Sequence, residues 1–235
     1  MKNTITCLLL LLGTLAVQAQ DFSALRLPLL SPTQMERDLD LLWQGIDQYH
    51  SGAYWYTSRD SLQAAFRAAR ATCQDSLTVL GFYRQAARLL ALTREDHANM
   101  ALPAEVQATV LNQGRLFPIS VAFLDRKMYA VYDGSTGEHD LRGQEIVRIN
   151  GRTPAALVQE IGELFGSDGY IERVKYNDLN SLSFALWYYY EFGKVDRFDL
   201  VYRTECGLDS LSVTALPLDK IREQLAQRYT PAELA

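Results

Sequence analysis

Apolar positions recur at helical spacing three times in the first part of the chain. Met35, Leu39, Leu42, Ile46 and Tyr49 form the first stripe, a spacing that places them on one face of a helix. Just upstream, Ser31 is suited to cap that helix, Pro32 to its first position and Gln34 to closing a capping box. The stretch "HSGAYWYTS" breaks the pattern, with Gly52 as the pivot. Ser58 then opens a second helix whose face is Leu62, Ala65, Phe66, Ala69 and Cys73. After another break from Asp75 to Thr78, Leu80, Tyr83, Ala86, Ala87 and Leu90 predict a third helix that ends near Thr93. Residues 31–93 therefore read as an all-helical unit.

The texture changes after that point. "RLFPISVAFLDRKMYAVYDGS" alternates and is rich in Val, Ile, Phe and Tyr, so it reads as two strands around a "DRK" turn. "DGSTGEHD" reads as a polar loop, with its "GEHD" part in solvent. Glu145–Ile149 predict a strand that ends in an Asn150-Gly151 turn, and Pro154 starts a helix that runs to about Leu164. In "NSLSFALWYYYEFG" the clustered aromatics Phe184, Trp187, Tyr188, Tyr189, Tyr190 and Phe192 read as core and rim ahead of a ligand-stacking platform. "RFDLVYR" and "DSLSVTAL" predict a closing hairpin. Leu218, Ile221 and Leu225 mark an amphipathic helix. Thr230, Pro231 and Glu233 look like the start of another helix, so the sequence is expected to be a piece of something longer. The fold class expected is α+β: a three-helix unit, then a small β-barrel or sheet with a helical insert.

Composition narrows the setting. The first nineteen residues carry Lys2, an apolar run through Leu12 and the small-residue pattern Val17-Gln18-Ala19. This is the layout of a cleaved secretory signal peptide, which implies a secreted or periplasmic protein with no membrane span after cleavage. The chain has 235 residues, 48% hydrophobic and 22% charged, enough for a sizeable core. A formal net charge of −5 without any basic block argues against nucleic acid and anionic membranes as partners. Beyond the leader, Cys73 and Cys206 could pair in an oxidising compartment, or serve as two small hydrophobes.

Most catalytic chemistries lack their residues. There is no G-x-S-x-G elbow, no S-x-x-K dyad, no H-E-x-x-H and no C-x-x-C. The three histidines, His50, His97 and His139, are scattered, and "GEHD" offers three neighbouring groups that point different ways. No metal site and no cofactor is expected. What remains is "LTREDHANM", where the third helix gives out and His97 stands among acids. Taken alone, it is either a structural peg or half of an acid–base pair.

The order of these segments resembles the N-terminal half of a tail-specific (C-terminal-processing) serine peptidase of the tricorn-core type secreted by bacteria. "LTREDHANM" is similar to that family's helix-terminal L-x-D-x-H pattern, with either Glu95 or Asp96 as the acid. Gly143, Glu145, Ile146, Ile149, Asn150 and Gly151 are similar to the G-x-E-I-x-x-I-N-G run of its PDZ-like domain. The resemblance implies a signal peptide at 1–19, a helical domain at 20–105, a PDZ-like domain at 106–220 and a linker helix at 221–235. It implies His97 as general base in a longer parent, with peptide or unfolded protein as substrate. The serine and its oxyanion hole would lie in a later domain, so the chain alone is expected not to hydrolyse peptides. The alternative is a stand-alone secreted binding or interaction module with no enzymatic role. Two departures bear on peptide capture. The place of the family's carboxylate-binding loop holds "NQGRLFPIS", with Gly114 as its only glycine, and the insert at about 166–193 is expected to cover the groove.

Overall fold

The computed structural model describes residues 25–234. The expected signal peptide lies outside the described residues. Short strands β1 (Leu29–Leu30) and β2 (Leu77–Thr78) pair antiparallel and tie the lead-in to the helical unit. That unit is α1 (Pro32–Tyr49), α2 (Arg59–Ala71) and α3 (Val79–Ala91). The caps are those expected: Ser31 forms a capping box with Gln34, and Ser58 accepts from the Ser61 N–H. Thr78 supplies the third cap, accepting from the Gly81 N–H. Met35, Leu39, Ile46, Phe66 and Cys73 are buried with Phe82, Ala86 and Leu89 in one apolar cluster. Tyr49 departs from the expected stripe. It is the last residue of α1, beyond the final buried position Ile46, and its side chain lies in solvent.

One helix has no counterpart in the sequence reading, α4 (Ala104–Gln113), which starts after Pro103 with no side-chain cap. Then come β3 (Ile119–Leu124), β4 (Lys127–Asp133), β5 (Glu145–Ile149), α5 (Pro154–Ile161), α6 (Arg173–Asp178), α7 (Ser183–Phe192), β6 (Arg197–Thr204), β7 (Gly207–Thr214), α8 (Leu218–Arg228) and α9 (Pro231–Leu234). The strands form one antiparallel meander in the order β3-β4-β5-β6-β7. The expected α+β class holds, and the sheet stays open rather than closing into a barrel. Closure fails because β3 and β7 do not pair. The outer edge of β3 is taken instead by the segment before α7, where Val121 and Ser181 bridge and the Phe123 N–H donates to Asn180 Oδ1 at 2.8 Å.

Turn chemistry sets the register. Asp125 and Arg126, between β3 and β4, both have positive φ (50° and 63°), the pattern of a two-residue turn whose twist matches a hairpin. Asn150 and Gly151 do the same after β5, at 48° and 80°. The large core lies between the sheet and the helices α4, α5, α7 and α8. Phe117, Phe184 and Phe198 meet there edge to face, with Tyr188 beside them. Tyr189 and Tyr190 are also buried, so the aromatic run of α7 is core, as its pattern suggested. α3 serves both clusters: Leu80, Tyr83 and Ala87 face the sheet side, and Phe82, Ala86 and Leu89 face α1 and α2.

Cys73 is buried, Cys206 is exposed in the β6–β7 turn, and both are free thiols. Among the described residues no helix is long and apolar enough to cross a membrane.

Candidate functional site

The end of α3 is where the chemistry gathers. Thr93 is buried and its Oγ1 donates to the Leu90 carbonyl at 2.8 Å, which closes the helix. Arg94 follows with φ of 55° and turns the chain sharply. Glu95 comes next, and it rather than Asp96 meets His97. Glu95 Oε1 lies 3.1 Å from His97 Nδ1 and also accepts the His97 backbone N–H at 3.1 Å. An ionised carboxylate only accepts, so in this contact Nδ1 carries a proton. The His97 side chain is 85% exposed, which leaves Nε2 open to a reacting group.

Asp96 faces elsewhere. Its backbone N–H donates to Asp168 Oδ1 at 3.0 Å, and its carbonyl accepts from the Asn99 side chain. Burial of Asp178 pushes its carboxyl upward, and the Asp96 charge adds to that.

Two further segments complete the cluster. The first is the end of α1. His50 caps that helix, and its Nδ1 accepts the Gly52 N–H at 3.2 Å. Its Nε2 therefore holds the proton and points toward Glu95 Oε2, 3.7 Å away. The turn after His50 is clamped at its other side. Arg59 Nε and Nη2 bond both Asp47 oxygens at 2.7 and 2.9 Å, and the Tyr54 hydroxyl donates to the same carboxylate. Those donors hold the Asp47 carboxyl down at about 2.

The second segment is the loop 166–169 after α5. It runs against the Arg94–Glu95 turn: the Gly169 N–H donates to the Arg94 carbonyl at 2.9 Å, and Arg94 Nη1 returns a bond to the Gly169 carbonyl at 3.3 Å. Gly166 permits this approach, because a Cβ there would lie under 3.0 Å from the Glu95 carbonyl oxygen. Gly166→Ala is therefore expected to cost about 1–3 kcal/mol by forcing the two loops apart. Urea denaturation checks it, and an unchanged midpoint would deny the close approach. With the loops together, Glu95, His97 and Asp168 present ligand-type atoms that all lie within 4.8 Å of one another.

A cavity of about 550 Å³ adjoins the same loops, lined by Leu89, Leu92, Arg94, Phe165, Ser167 and Lys175. Burial and the nearby Arg94 charge lower the Lys175 ammonium from its usual range.

The sequence placed His97 here, and left its acid open between Glu95 and Asp96. It missed His50 and Asp168, which no local pattern ties to this turn. The "GEHD" segment is solvent-facing as expected, with His139 half-buried, but the start of its loop is not. At the start of "DGSTGEHD", Asp133 and Ser135 are fully buried. Asp133 accepts the N–H groups of Ser135 and Leu141 at 2.9 and 3.1 Å, and Arg228 bonds the carbonyls of Gly137 and His139. This loop holds a serine, a histidine and an aspartate together, with Ser135 Oγ 2.9 Å from His139 Nε2 and 2.5 Å from Asp133 Oδ1. It is no catalytic triad. There the histidine stands between acid and serine, whereas here the serine stands between the other two, and it is sealed from solvent.

In the place of the family's carboxylate loop, two backbone donors are already used. The Gly114 N–H is spent on the Val110 carbonyl at 2.8 Å and the Leu116 N–H on the Leu216 carbonyl at 2.8 Å. The insert covers the β3 edge through Asn180 and Ser181. Among the described residues β7 is an edge strand with no strand on its outer side.

With this geometry in place, solved structures give the comparison. The chain has the fold of part of CPAF. Against mature CPAF the TM-score is 0.51 at 14% identity, covering 78% of this chain and 34% of CPAF. Against a point mutant of CPAF the TM-score is 0.50 at 13% identity, covering 79% and 34%. The chain thus spans about a third of CPAF, and the likeness shows a protease-like fold. No protein-family model and no curated protein matches the sequence.

Proposed function

We propose that this chain is the exported, peptide-handling portion of a serine peptidase of the tail-specific type, and that Glu95 and His97 are the acid and base of its catalytic site. The observation that carries this reading is the Glu95–His97 pair, with the proton on Nδ1 and Nε2 open to solvent. A serine peptidase needs a base whose free nitrogen can take the serine proton while a carboxylate holds the ring by its other nitrogen. The similarity to CPAF, a bacterial serine-protease-like protein, supports the same reading.

Among the described residues no serine bonds His97. Ser135, the serine bonded to a histidine, is buried elsewhere. In this reading the nucleophile and the oxyanion donors come from outside these residues. The substrate is an extended peptide or unfolded protein. It would add to the sheet at β7, the edge left open, where backbone groups supply the affinity. The test is hydrolysis of an unfolded polypeptide by this chain joined to its nucleophile-bearing remainder. Turnover that stops on blocking the serine is the expected result. Peptide binding without any turnover would favour a binding module instead.

A further inference from the structure

We propose that Glu95, His97 and Asp168, backed by His50, bind a divalent transition-metal ion, with zinc as the best fit. His97 offers a ring nitrogen, and the two acids each offer a carboxylate oxygen, all within 4.8 Å of one another. In a tetrahedral zinc site with bonds of about 2.0–2.1 Å, neighbouring ligand atoms stand about 3.3 Å apart. The Glu95 Oε1 to His97 Nδ1 distance is already 3.1 Å. Asp168 and His97 are both exposed, so small side-chain rotations close the rest. The fourth position faces solvent and would take water.

The groups behind these ligands are those a metal site uses. Ligands are normally held from the far side by a second hydrogen-bonding group. Asp168 is held by the Asp96 backbone N–H at 3.0 Å. Behind Glu95 stands His50, which comes from a different part of the chain. Its Nε2 is buried and has no hydrogen-bond partner, and it faces Glu95 Oε2 at 3.7 Å. A buried N–H left unbonded is costly, about 1–3 kcal/mol. A metal that fixes Glu95 by one oxygen gives this N–H a settled acceptor in the other. An imidazole nitrogen among the ligands selects zinc and its neighbours over magnesium and calcium, which prefer oxygen alone.

Metal binding does not depend on the peptidase reading, although it would bear on it. Nδ1 cannot hold both a metal and the proton that it shares with Glu95. Metal occupancy and general-base action by His97 would therefore exclude each other.

Isothermal titration of the chain with zinc chloride tests the site, in a Cys206→Ser background that removes the exposed thiol. One saturable site is expected, without matching heat from magnesium. Asp168→Asn and His97→Ala should each weaken zinc at least about tenfold, and His50→Gln by roughly 10–100-fold. His97 projects into solvent, so its loss does not threaten the fold, and circular dichroism verifies each variant. No saturable binding, equal binding of magnesium, or unchanged zinc affinity in both Asp168→Asn and His97→Ala would overturn the proposal. None of these readouts requires turnover, so the metal site can fail while the peptidase reading stands, and the reverse.

Discussion

Replacing His97 with alanine, in the chain joined to its serine, is expected to lower kcat for peptide hydrolysis roughly 10²–10⁴-fold, the usual contribution of a positioned base. KM should change little, because His97 contributes to proton transfer and not to holding the peptide. Stability should also hold. The side chain is 85% exposed and, among the described residues, its hydrogen bonds run to Glu95, two residues away. Surface changes of this kind fall within about 0.5 kcal/mol. The combination is diagnostic: a large loss in kcat at an unchanged melting point separates a catalytic role from a structural one. A structural peg would give the opposite pattern. If activity survives intact, His97 is not the base.

The second large effect is on folding. Phe117→Ala is expected to destabilise the protein by about 3–5 kcal/mol, as for other buried aromatics cut back to alanine. Phe117 is fully buried. Its ring meets Phe184 of α7 at 5.5 Å and Phe198 of β6 at 4.9 Å between centroids. It therefore joins the start of the sheet to its insert and to its closing hairpin. Folded domains are typically stable by only about 5–15 kcal/mol, so this loss is large enough to leave part of the population unfolded. Urea denaturation measures it. A loss under about 1 kcal/mol would mean that the three rings do not form the centre of the core.

Much of the architecture could be read from local chemistry. Ser31, Pro32 and Gln34 marked the start of α1, and Glu145–Ile149 marked β5, because caps and short periodic runs act within a few residues. α4 escaped because Pro103 gives it no side-chain cap and only Val106 and Val110 mark its buried face. Of the two forms expected, barrel or sheet, the open sheet is the one formed, for a nonlocal reason. Whether β3 ends free or paired depends on Asn180 and Ser181, more than fifty residues away. The site divides the same way. His97 stood out beside acids at a helix end. Choosing Glu95 over Asp96 required knowing that Arg94 turns with positive φ and that Asp96 donates its N–H to Asp168. Asp168 itself sits in "GSDGY", which reads as an ordinary loop until Gly166 brings it against Glu95.

Glu95 as the acid that serves His97 is tested by one comparison of rates. In the chain joined to its serine, Glu95→Gln and Asp96→Asn are measured side by side for kcat/KM on one peptide. Glu95→Gln should lose activity at least about a hundredfold, because an amide cannot hold and charge-stabilise the imidazole as the carboxylate does. Asp96→Asn should stay within a few-fold of the parent, since Asp96 uses its backbone and not its carboxylate here. Equal losses, or a larger loss at Asp96, would contradict the assignment of Glu95 as the acid that serves His97.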